Sequence, residues 1–193
     1  RLVSDLKQAK SDQAVLISAY KGAGTRISVI SASQSDDFYN IQASYPQFDG
    51  ADADFNKKIE DAVKGQLEEF KAAAKENFDA RNATMPEGQP VLEKPEQPFD
   101  FIATWTPAQL GPRYLSLVFN IYYFSGGAHG SEKIFAFNYD LENKKEITIG
   151  DFLGASDNLD KLSKAAQSQV VAQLKASGSW IDSATFKMIQ EGT

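Results

Sequence analysis

Between residues 54 and 77 the apolar side chains Phe55, Ile59, Val63, Leu67, Phe70 and Ala74, followed by Phe78, recur at spacings of three or four. That repeat marks one face of an α-helix. A helix of this length is about 36 Å long at 1.5 Å per residue, enough to cross a sheet. Asp52 or Asp54 is placed to cap its first turn. Its other face carries Lys57, Glu60, Asp61, Lys64, Glu68 and Lys71, charges of both signs at i,i+4 spacing.

A period of two appears elsewhere. Ile27 and Val29, then Tyr39, Ile41 and Ala43, alternate with polar neighbours on either side of Asp36-Asp37, which predicts a β-hairpin whose second strand ends near Tyr45, before Pro46. Phe99, Phe101, Ala103 and Trp105 begin a stronger pattern, continued by Leu115, Leu117, Phe119, Ile121 and Tyr123. A third strand spans 134–141, and the turn Glu142-Asn143-Lys144-Lys145 leads to a short fourth at 146–149. These consecutive strands predict an antiparallel meander. Residues 159–176 and 183–189 read as helices, with Gly178 as the stop between them. Residues 81–98, with Pro86, Pro90, Pro95 and Pro98, read as a linker or long surface loop, and Asn82-Ala83-Thr84 within it fits a glycosylation sequon. The expected organisation is an N-terminal extension at 1–24, a hairpin and long helix at 25–80, the proline-rich stretch at 81–98, and a meander with C-terminal helices at 99–193, with 25–80 and 99–193 forming one compact domain. The fold class is α+β: an antiparallel sheet packed against two longer helices.

Composition narrows the chemistry. With no cysteine and one histidine in 193 residues, disulfides and thiolate sites are excluded, and any metal site would rest on carboxylates. No metal or other cofactor is expected. The net charge of −6 disfavours nucleic acid, which needs clustered Lys and Arg. Residues 49–100 hold thirteen acids against seven bases, so this stretch carries the whole excess. Glu60, Asp61, Glu68 and Glu69 are its candidate surface for a basic partner. No apolar run approaches the roughly 20 residues of a membrane span.

The single histidine stands in Tyr123-Phe124-Ser125-Gly126-Gly127-Ala128-His129-Gly130, between two predicted strands. Glycines 126, 127 and 130 would admit positive φ and leave His129 at an exposed tip. A catalytic reading makes His129 a general base for Ser125 or Ser131, but serines two or four residues away in a turn seldom aim at the imidazole and no orienting acid is apparent. A contact role in ligand binding is the alternative, with Tyr123, Ser125, Gly126, Gly127, His129 and Gly130 as candidates.

Tyr45-Pro46-Gln47-Phe48 before a long helix containing Asn56, the Gly-Gly-Ala-His-Gly loop, Phe137-Asn138-Tyr139-Asp140-Leu141 and Ile147-Thr148-Ile149-Gly150-Asp151-Phe152-Leu153 together resemble the extracytoplasmic domain of RsiV-type anti-sigma factors. They are also similar to the non-catalytic region of the peptidoglycan deacetylase PdaC. The resemblance runs from about Phe38 to the end of the chain. It implies an exported module, outside the cytoplasm and held by an anchor beyond this chain, without catalytic residues of its own and continuing into further strands. RsiV-type members bind lysozyme, so a basic muramidase is one implied partner. A peptidoglycan fragment, bound by an accessory domain of a wall enzyme, is the other, with Trp105, Tyr122 and Trp180 as candidate stacking rings. A hydrolase using His129 is the third reading.

Overall fold

The computed structural model describes residues 26–154, 156–179 and 181–192. The expected extension at 1–24 and the candidate ring of Trp180 lie outside them. The chain divides into two compact units, the first ending at Glu146 and the second beginning at Ile147.

The first unit is a six-stranded sheet of β1 (Ile27–Ser35), β2 (Tyr39–Phe48), β3 (Phe99–Leu110), β4 (Tyr114–Phe124), β5 (Ser131–Asp140) and β6 (Lys145–Glu146), in that spatial order. Every neighbouring pair is antiparallel except β2 and β3, which run parallel from Tyr39↔Phe99 to Ala43↔Ala103. The sheet is thus mostly antiparallel, as expected, with one parallel pair that the strand pattern did not foretell. The cause of that pairing is the long helix α1 (Ala53–Ala83), which follows β2 and carries the chain back to start β3 beside it. A parallel neighbour requires such a crossover.

Asp52 caps α1 by accepting the Phe55 N–H at 2.7 Å. The stripe Phe55, Ile59, Val63, Phe70 and Ala74 is buried against the sheet, mainly on β2 and β3. The facing layer consists of Ile41, Phe101, Trp105, Leu115, Leu117, Phe119 and Ile121, none more than 2% exposed. Each large side chain buried in this way stabilises the fold by roughly 1.5–3 kcal/mol. Trp105 is therefore core, which removes it as a sugar platform.

Several boundaries fall elsewhere than the pattern predicts. α1 extends through Ala83 rather than stopping at Asn77, and takes Arg81 and Asn82 out of the expected loop. Its capping Thr84 donates its backbone N–H to the carbonyls of Ala80 and Arg81, ahead of Pro86. β2 continues past Pro46 to Phe48. The ladder with β3 has ended at Ala43, so β2 there has only β1 as partner, an edge-like position that tolerates proline. β3 likewise runs through Pro107, at a register shift between Pro107 and Gln109. The fourth meander strand is only Lys145–Glu146. Thr148 then forms a capping box with Asp151, each side chain accepting the other's N–H, and turns the chain into the helix α2 (Ile149–Leu153).

The second unit contains α2, α3 (Ser156–Ala176) and α4 (Ser183–Gly192). Asn158 joins α3 to α2 by donating to the Leu153 carbonyl at 2.7 Å, and Asp182 accepts the Thr185 N–H at 2.7 Å ahead of α4. With one six-stranded sheet and two longer helices, α1 in the first unit and α3 in the second, the chain has the α+β class expected.

Two carboxylates tie the first unit together. The Tyr139 hydroxyl donates to Asp52 at 2.5 Å while its ring stacks on Phe55 at 4.2 Å, joining β5 to the start of α1. That hydroxyl, with the Phe55 N–H, holds the Asp52 carboxyl below its ordinary value. Asp140 is buried, which by itself would raise its pKa. The backbone and side chain of Asn143 and the Arg113 guanidinium outweigh burial and hold it at about 2. A carboxylate depressed on folding contributes stability that is complete above its unfolded pKa, near 3.8, and is lost as pH falls through the folded value. Thermal melts are therefore expected to hold steady down to about pH 4 and fall steeply toward pH 2. Asp140→Asn should melt lower than wild type near neutrality and show a shallower acid decline. An unchanged slope would show that Asp140 carries no acid sensitivity.

Candidate functional site

The last two turns of α1, the proline-rich segment and the glycine loop enclose a cavity of about 530 Å³. That is within the range of small-molecule sites. Asn77, Phe78 and Arg81 line it from the helix, Leu92, Pro95, Glu96 and Gln97 from the proline-rich segment, and Phe99, Phe124, Gly126 and Gly127 from the sheet and its loop.

Each wall is fixed by polar bonds. Asn77 Nδ2 donates to the Ser125 carbonyl at 2.9 Å and is 3.3 Å from its hydroxyl, which fastens the loop to the helix. Asn82 exchanges two bonds with the backbone of Leu92, at 3.1 and 3.0 Å. Arg81 pairs with Glu96 at 2.6 Å across the cavity wall, and Lys94 pairs with Asp37 at 3.0 Å. Phe38 packs edge-on against Phe78 at 5.5 Å. The stretch read as a linker is thus strapped to the body of the unit. The sequon asparagine lies on the helix and is engaged through both ends of its amide, donating to and accepting from Leu92.

Of the loop candidates, Gly126 and Gly127 line this cavity, and Ser125 is bonded to Asn77, which lines it too. Gly126 and Gly127 have φ of 104° and 95°, as their spacing predicted. Gly130 does not share that conformation. A Cβ there would lie 2.5 Å from ring carbons of Tyr122, so any larger residue would have to displace that ring. Tyr123 is half-buried against the core. His129 is exposed, with Nδ1 3.0 Å from its neighbour's carbonyl at Gly130, and it stands apart from the cavity lining.

The acidic candidates occupy a different surface. Asp61 pairs with Lys57 at 2.6 Å, Glu60 pairs with Lys64, and Glu69 accepts from Gln66 at 2.9 Å, while Glu68 is exposed. Exposed pairs of this kind contribute little to stability, yet each places a cation beside an acid. Among the described residues no group of three or more His, Asp or Glu is placed to hold a metal ion.

The sequence reading missed Arg81, Glu96, Phe78 and Leu92 as wall residues. The one signal available was the continuation of the helical stripe to Phe78, which brings Arg81 and Asn82 onto the same helix.

Substitution separates the loop's shape from its histidine. Gly127→Val forces a β-branched residue into positive φ and is expected to cost about 1 kcal/mol or more, whereas His129→Ala should stay within about 0.5 kcal/mol of wild type. Thermal unfolding of both variants checks this, and an equal large loss in the two would show that the imidazole is structural.

The family model described as Deacetylase PdaC matches residues 32–132, more than half the chain and every segment lining the cavity. Two crystal structures are similar. One is a DUF3298 family protein from Pseudomonas aeruginosa PAO1, at 15% identity and a TM-score of 0.44, covering 79% of this chain and 67% of that one. The other is a DUF3298 family member from Bacteroides fragilis NCTC 9343, at 12% identity and a TM-score of 0.49, covering 85% and 73%. No curated protein matches the chain. On the strength of the match over residues 32–132, the chain belongs to the PdaC family.

Proposed function

We propose that this chain is a non-catalytic binding module of a cell-envelope protein, and that its ligand site is the cavity between α1, the proline-rich segment and the glycine loop. The observation that carries the reading is the composition of that cavity. Planar polar groups of Asn77, Arg81, Glu96 and Gln97 stand beside the rings of Phe78, Phe99 and Phe124. Such a lining offers hydrogen bonds and apolar contact together. Ser125 is held by Asn77, and the imidazole of His129 is directed to Gly130. Those contacts favour binding over hydrolysis. In the context of the PdaC family, the ligand is a peptidoglycan fragment, and the module acts outside the cytoplasm under an anchor beyond this chain.

A second reading follows from the RsiV-type resemblance and from charge. The acid excess lies wholly within residues 49–100, a field that would steer a basic muramidase toward one side of the first unit. Its contact surface would be the α1 face of Glu60, Asp61, Glu68 and Glu69.

Calorimetric titration with soluble wall fragments and, separately, with a basic muramidase distinguishes the readings. The cavity reading expects fragment binding that Arg81→Ala and Gln97→Ala weaken about tenfold, and that moderate salt barely changes. Muramidase binding that falls with salt and with Glu68→Lys and Glu69→Lys, without fragment binding, would replace it by the second reading. Turnover of acetylated fragments or simple esters that disappears in His129→Ala would overturn the non-catalytic assignment.

A further inference from the structure

Hydrogen bonds at the two ends of the first hairpin fix the direction of every backbone group in β1. The Asp49 N–H donates to the Arg26 carbonyl at 3.1 Å, and the Asp36 N–H donates to the Tyr39 carbonyl at 2.9 Å. Bonded and non-bonded positions alternate along an antiparallel pair. With the register running from Ile27↔Phe48 to Ser35↔Asn40, this phase makes Ser28, Ile30, Ala32 and Gln34 the residues that exchange bonds with β2. Pro46 agrees with it. It stands opposite Val29, at a non-bonded position where its missing N–H breaks nothing.

Ile27, Val29, Ser31, Ser33 and Ser35 therefore direct their N–H and C=O groups away from β2. Among the described residues no strand lies on that side. Sheets ordinarily guard such an edge with charge, proline, a bulge or brevity. β1 has none of these. Its nine residues, ISVISASQS, include no charge and no proline, and its pairing with β2 shows no register shift. All but Ile27 are exposed, with Val29 at 40% and Ile30 at 43%. The opposite side of the sheet is built differently. The outer edge of β5 begins Ser131-Glu132-Lys133, and β6 covers it at Tyr139 and Asp140.

We propose that β1 is an interface strand, pairing antiparallel with β1 of a second copy of this chain across a two-fold axis at Ser31. That register sets Ile27 against Ser35, Val29 against Ser33 and Ser31 against its own copy, so outward groups meet outward groups at each position. It also sets Ile30 beside Ala32. Because the strand is uncharged, self-pairing brings no like charges together, and a charged partner strand would find no counter-charge on it. The contact is isologous and closes as a dimer, joining two sheets edge to edge.

Sedimentation velocity over a concentration series, combined with residue-resolved amide hydrogen exchange of the same chain, tests the proposal. A reversible dimer is expected, with the amides of Val29, Ser31 and Ser33 protected at high concentration and exposed on dilution. Ser31→Pro removes an outward donor without breaking a bond to β2, and should leave a folded chain whose dimerisation is weaker by about tenfold or more. Ser31→Lys should act in the same direction, because the axis sets that residue against its own copy and brings two like charges together. A chain that is monomeric throughout overturns the proposal. Protected outward amides in that monomer would then mean that the chain before Arg26 covers the edge, and unprotected ones that the edge is free. A dimer indifferent to both substitutions overturns it too, by placing the interface elsewhere.

Discussion

The first unit depends on fixing one long helix across the sheet at both ends. At the start of α1, Asn56 exchanges two bonds of 2.9 Å with the backbone of Phe48, and Asp52 receives the Tyr139 hydroxyl. Near its end, Asn77 holds the loop after β4 and Asn82 holds the proline-rich segment. Apolar burial supplies most of the free energy, but it is non-directional and would tolerate a helix slid along its own stripe. The amide bonds remove that freedom, because each joins the helix to one particular backbone position.

This registration creates the cavity. At 31 residues α1 is about 46 Å long, and only its first two-thirds carries the buried stripe from Phe55 to Ala74. The remaining turns present Asn77, Phe78 and Arg81 to the segment that returns toward β3. That segment has Pro86, Pro90, Pro95 and Pro98 and forms no helix or strand of its own. Two bonds at Leu92 and ion pairs at Glu96 and Lys94 hold it instead. Space is left between a helix that outlasts its apolar stripe and a proline-rich return that does not pack as regular structure.

The elements that dominate the core were legible as periodicities. The stripe from Phe55 to Ala74 and the alternation from Leu115 to Ile121 state which face is buried, and those faces are buried. Alternation does not state which strand lies alongside. The parallel pairing of β2 with β3 was illegible for that reason, since Tyr39, Ile41 and Ala43 would alternate in the same way in either orientation. Helix ends were missed where caps decide them, by backbone bonds at Thr84 and by a side-chain capping box at Thr148. Two of the three loop glycines have the backbone conformation expected of them. Gly126 and Gly127 have the positive φ that glycine spacing suggests, while Gly130 lies against the ring of Tyr122, eight residues earlier in the chain. The cavity draws on residues from Asn77 to Gly127, and no local pattern reports a space between distant segments.

Charge is sorted in a way that separates the three surfaces. Along α1, Lys57, Lys64 and Lys75 each stand four residues from a partner acid, so the helix face carries alternating rather than single-sign charge. In the cavity, Arg81 and Glu96 compensate each other beside three phenyl rings. Along β1 there is no charge at all. Long-range attraction between exposed charges fades within about 8 Å at physiological ionic strength. The contacts proposed at the cavity, where Arg81 and Glu96 cancel, and at the uncharged β1 would therefore rest on shape, hydrogen bonding and apolar area rather than on net charge.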